Sequence, residues 1–180
     1  MRVAFMVGLT AALLAVAAPA QSGPPNYEMS EENRAASDAM ERGDMANAVP
    51  AFLAAATKGD SGAQLVLGGL YQWGQGVPRD YALARRYLTS AADAGWGEAM
   101  NNLGVMAWEG QGEPPDRIEA LKWLLLSVRY MTASHDEEST PIAMPHGNLK
   151  KYRAKMTADE IAEAERRASA WRPTDPAAAR

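Results

Sequence analysis

Gly74 to Asp80 reads "GQGVPRD", and thirty-six residues later Gly110 to Asp116 reads "GQGEPPD". The flanks repeat along with the turns. Setting Ala63–Ala92 over Ala99–Val128 puts Ala63 on Ala99, Leu67-Gly68 on Leu103-Gly104, Asp80 on Asp116, Ala84 on Ala120 and Tyr87 on Trp123. One step back, Asp44, Ala48, Ala55, Ala56 and Gly59 fall beneath Asp80, Ala84, Ala91, Ala92 and Gly95. A fixed step in the mid-thirties marks a helical solenoid, in which each unit buries its apolar face against its neighbours.

Inside each unit the apolar spacing is helical. Ala63, Leu67, Leu70 and Tyr71 share one face of a first helix, and Ala84, Tyr87, Leu88 and Ala91 share one face of a second. Val and Ile are sparse beside Ala, Leu, Met, Glu and Arg, and no strand pattern emerges. The expected fold is all-α: an α-solenoid of antiparallel helix pairs, about three repeats, closed by a C-terminal capping helix.

Outside the repeats the chain divides as follows. Arg2, the apolar run Val3–Ala17 and the small residues Ala18-Pro19-Ala20 have the form of a secretory leader over 1–20, cut near Ala20. That reading places the mature chain in the periplasm or outside the cell. Residues 21–29, rich in Gly and Pro, read as a flexible lead. The repeat domain is expected over 30–171, with repeats at 30–60, 61–96 and 97–131, an irregular loop at 132–147 and a helical cap at 148–171. Ser30 is placed to cap the first helix, and Thr157 with Glu160 forms a capping box for the last. The proline- and alanine-rich 172–180 reads as a disordered tail.

The chain of 180 residues carries a formal charge of −4, and loss of Arg2 with the leader takes it to −5. Mild acidity without a strong basic run argues against a nucleic acid or an anionic membrane as partner. No stable membrane insertion of the mature chain is expected. With no cysteine, packing must supply the stability, and thiolate chemistry is excluded.

The residues at the repeat positions resemble the Sel-one-like repeat family, relatives of the tetratricopeptide repeats. The pattern is carried by Ala63, Leu67, Gly68, Tyr71, Gly74, Gly76, Val77, Asp80, Ala84, Tyr87, Ala91, Ala92 and Gly95. The next unit keeps Ala99, Leu103, Gly104, Gly110, Gly112, Asp116, Ala120 and Trp123, and departs at Ala107 and Glu113. What the resemblance implies is an α-helical superhelix that holds other proteins, often exported, and no reaction. A disulfide-bonded branch linked with β-lactams is set aside, because this chain has no cysteine.

The paired glycine turns could cradle a ligand or only end one helix and start the next. A phosphate loop would need a following lysine, and a dinucleotide fingerprint a third glycine after a strand; neither is present. As turns, Gly74 and Gly110 supply positive φ, Gly76 and Gly112 tighten the bend, and Asp80 and Asp116 cap the second helix. His135 and His146, with Asp136, Glu137 and Glu138, lack the spacing of a metal site, so no metal or cofactor is expected. Thr89, Ser90 and Ser127 stand in no nucleophile pattern, and no catalytic residue is assigned.

Trp123 reads as core. Trp73 and Trp108, near the ends of first helices, are either exposed anchors on the concave face or packed beneath the next turn. Gln72, Glu98 and Asn101 map to the same side. The reading from sequence is a periplasmic, non-enzymatic scaffold or regulator binding a protein or peptide partner through Gln72, Trp73, Glu98, Asn101 and Trp108. Its alternatives are an envelope enzyme or accessory acting on cell-wall material, with its chemistry in 132–147, and a self-association module.

Overall fold

A computed structural model describes residues 24, 26–133 and 143–174. Among the described residues the chain forms eight helices and no strand. They are α1 (Glu31–Glu41), α2 (Met45–Thr57), α3 (Ser61–Trp73), α4 (Tyr81–Asp93), α5 (Gly97–Glu109), α6 (Arg117–Ala133), α7 (Ala143–Arg153) and α8 (Ala158–Ala170). Three hairpins, α1/α2, α3/α4 and α5/α6, stack in chain order. The two C-terminal helices pack on α6. The leader, His135, Asp136, Glu137, Glu138 and the end of the tail lie outside the described residues. His146 falls within α7, with its side chain outside them.

Small residues set how closely the helices of a hairpin approach. A Cβ on Gly68 would stand 2.6 Å from Leu88 Cγ, and one on Gly104 would stand 2.8 Å from Leu124 Cγ. These two contacts are a repeat step apart. Ala63, Leu67, Ala84, Leu88, Ala99, Leu103, Ala120, Leu124 and Trp123 are all buried. The core falls into two clusters, one built on Phe52, Leu67 and Leu70 and the other on Leu88, Met100, Leu103 and Trp123. Tyr71 packs against both, and its ring stacks on Tyr87 with centroids 5.9 Å apart.

The two glycine turns have the same geometry. Gly74 and Gly110 cap α3 and α5 in the left-handed conformation, at φ 69° and 71°. The amide of Asp80 then donates to Tyr71 O, and that of Asp116 to Ala107 O, each at 2.9 Å. Asp80 and Asp116 accept from Leu83 N and Glu119 N, so each caps the helix it precedes. The second glycine of each turn lies against the preceding hairpin. A Cβ on Gly76 would stand 3.0 Å from Met45 Cβ, and one on Gly112 would stand 2.7 Å from Tyr81 Cβ. Met45 and Tyr81 open α2 and α4. Each turn therefore closes its own hairpin and seats on the one before it.

Three stretches differ from the sequence reading. Thr132 and Ala133 complete α6 and Ala143–Gly147 open α7, so both ends of the expected loop are helical. The cap is two helices, α7 and α8. Pro145 is compatible with this helix, because at its third position the missing N–H would have no partner anyway. The lead is anchored at Tyr27, whose hydroxyl donates to Asp60 at 2.8 Å and whose ring meets Trp96 edge-on. The start of the tail also meets the array, because Thr174 and Asp93 line the same cleft.

Candidate partner-binding surface

Trp73 is the last residue of α3, and Gly74 ends the helix immediately after it. Its side chain is 48% exposed, alone among the large hydrophobic residues described. Gln72, one residue earlier, points about 100° away around the helix and is buried. Its Nε2 donates to Gln111 Oε1 at 3.0 Å, while among the described residues no donor meets its Oε1. Gln111 is the middle residue of the second glycine turn. Arg85 of α4 also reaches it, donating to its carbonyl at 3.1 Å and pairing with Glu113 at 3.3 Å. Gln72 thus joins neighbouring hairpins and is not available on an open face, which corrects its placement from the sequence.

Trp108 is partly covered. Its ring stacks on Tyr152 of α7, with centroids 4.3 Å apart and planes 2° from parallel, and Arg117 lies 5.6 Å from its centroid. Asn101, two turns earlier on α5, accepts from Asn148 of α7 at 3.1 Å. Asn148 and Tyr152 are four residues apart, so one face of α7 meets both positions. Glu98 is partly buried on the same helix. Burial raises the Tyr152 hydroxyl pKa above its ordinary value, with the charge of Glu109 adding to the effect. The five residues do not form one strip: α7 covers Asn101 and Trp108, Gln72 turns inward, and Trp73 remains open.

The sequence reading overlooked a second polar centre. Asp60 caps α3 by accepting from Ala63 N at 2.9 Å, and also accepts from Ser30 N, Ser30 Oγ, Tyr27 Oη and Asn33 Nδ2. Burial alone would raise its carboxyl pKa; the donors, led by Ser30, outweigh that and hold it below the usual carboxylate range. The Tyr27 hydroxyl moves up, first through burial and then through Asp60. One repeat step on, Trp96 takes the place of Asp60 and makes no cap of its own. Its Nε1 instead donates back to Ser61 Oγ at 2.9 Å. The Asp-for-Trp difference at equivalent positions was the available signal.

Among the described residues, no group of three or more His, Asp or Glu is arranged to hold a metal ion. No helix among them is long and apolar enough to cross a membrane.

The Sel1 repeat family matches the chain twice, over residues 61–96 and 97–129. The chain carries two Sel1 repeats. The matched spans are the hairpins α3/α4 and α5/α6 with their glycine turns. No curated protein matches the chain. Among solved structures, it resembles a protective antigen present in uropathogenic Escherichia coli strains, described as displaying an SLR fold. The two share 25% identity and a TM-score of 0.65, over 76% of this chain and 28% of that one. The chain therefore spans under a third of the length of that structure's chain. Sel1 repeats generally mediate protein–protein interaction, and such proteins are generally non-enzymatic scaffolds. The α1/α2 hairpin lies outside the matched spans but shares their plan: Asp44 caps α2, and Gly59 follows it at φ 92°, as Gly95 follows α4 at 94°.

Proposed function

We propose that this chain is an exported, periplasmic scaffold that binds a protein or peptide partner at the end of α3, with Trp73 as the anchor. The reading needs no reaction of its own. The exposure of Trp73, the one large hydrophobic side chain exposed among the described residues, is the observation that carries it. A large aromatic side chain left in water at a helix end costs hydration free energy that a partner recovers on contact. Tryptophan is also the residue type most enriched among interface anchors. The leader-like 1–20 supports the exported location.

The test is the affinity of a partner isolated with the mature chain, measured for wild type and for Trp73→Ala. An anchor of this kind predicts a loss of about 2 kcal/mol, roughly thirtyfold in Kd. The thermal midpoint should barely move, because the side chain is only partly packed. An unchanged Kd would remove Trp73 from the interface.

A further inference from the structure

A cleft of about 290 Å³ opens between the start of α3 and the end of α4, well apart from the Trp73 end of the hairpin. Its polar lining is Ser61, Gln64, Ser90, Asp93 and Thr174, and no lining residue among those described is cationic. The neutral groups largely have partners. Ser61 Oγ accepts from Trp96, Gln64 Nε2 donates to Ala56 O, and Ser90 Oγ donates to Arg86 O. Asp93 is different. It is the last residue of α4, where the backbone carbonyls concentrate partial negative charge, and the last turn of that helix holds no basic residue. Burial pushes its carboxyl pKa up, and the Thr174 hydroxyl and the charge of Lys122 only partly offset this. Lys122 is itself engaged by Glu119 and lies over the Trp123 ring.

A carboxyl placed against the negative end of a helix, in a cleft whose described lining holds no cation, is complementary to a cation from outside. The cleft has room for one long side chain. We propose that this cleft is a second binding site, which seats the ammonium or guanidinium end of a lysine or arginine side chain from a partner peptide against Asp93. The segment Trp171–Thr174 is a strap across it. Trp171 anchors the strap on Trp123 and Tyr130, with ring centroids 5.8 and 5.7 Å away. Thr174 places only a neutral hydroxyl beside Asp93, and a charged donor would outcompete it, since charge-assisted hydrogen bonds are about twice as strong.

The probes are two blocked tripeptides, Gly-Lys-Gly and its neutral counterpart Gly-Gln-Gly, titrated into isotope-labelled mature protein. The reporter is the indole N–H resonance of Trp96, whose hydrogen bond to Ser61 lies in the lining. The lysine peptide should shift this resonance saturably, and the glutamine peptide should bind at least about tenfold more weakly. Asp93→Asn should abolish the lysine preference; it removes a charge unfavourable at a helix C-terminus, so the fold should hold. Thr174→Val should tighten lysine binding several-fold. An equal response to both peptides, a lysine response that survives Asp93→Asn, or no response at all would overturn the proposal. Trp73→Ala should leave these titrations unchanged, which separates this site from the first.

Discussion

Gly43 and Gly76 both hold positive φ, at 76° and 70°, yet they do different work. Around Gly43 a Cβ would meet nothing within 4 Å, whereas at Gly76 it would press on Met45. Gly43→Ala should therefore cost only the left-handed backbone strain, about 1–2 kcal/mol. Gly76→Ala should cost about 1–3 kcal/mol more, from crowding between hairpins. Urea unfolding of the two variants measures the difference, and equal costs would show that the turn does not seat on α2. Asp60 offers a test by pH. Its folded-state carboxyl pKa lies below the ordinary value, so its contribution is complete above about pH 4 and is lost as pH falls through the folded value. Asp93, with its carboxyl pKa raised, acts with the opposite sign, so the comparison must be made within one variant series. Asp60→Asn should lower stability by about 1–3 kcal/mol at neutral pH and flatten the acid limb below pH 4. Parallel profiles for variant and wild type would contradict the assignment.

At the scale of elements, α7 decides which surface is left for a partner. Tyr152 is 2% exposed and stacks on Trp108, so Tyr152→Ala should cost about 3 kcal/mol. Amide exchange should then rise more in 147–153 than in α3 and α4, and a uniform rise would show that α7 is not held by this stack. The hairpins were legible in the sequence because their signal is periodic: Gly74 and Gly110, Asp80 and Asp116, and Gly68 and Gly104 recur in register with helical apolar spacing. The first turn of α7 was not, because the expected cap began only at 148, and Asn148 and Tyr152 fall in no repeat that would show what they meet. Gln72 and Trp73 show the same limit on the candidate site. Both end α3, and only the position of the next turn, with Gln111, determines that one is buried and the other open. The contacts of Tyr27 and Thr174 join residues 33 and 81 positions apart, a long-range pairing that local pattern does not encode.

At the scale of the molecule, three hairpins share two core clusters joined through Tyr71, and the chain ends meet the array at Asp60 and Asp93. The repeat positions are thus committed to packing, and recognition falls to what the array leaves exposed. The central claim is that this is the end of α3. A photoreactive phenylalanine derivative placed at position 73 tests it most directly, with Arg166 on the exposed side of α8 as the control position. In cells exporting the protein, irradiation should give a discrete higher-mass adduct from position 73 and none from position 166. Identical adducts from both positions, or none from position 73, would contradict the account.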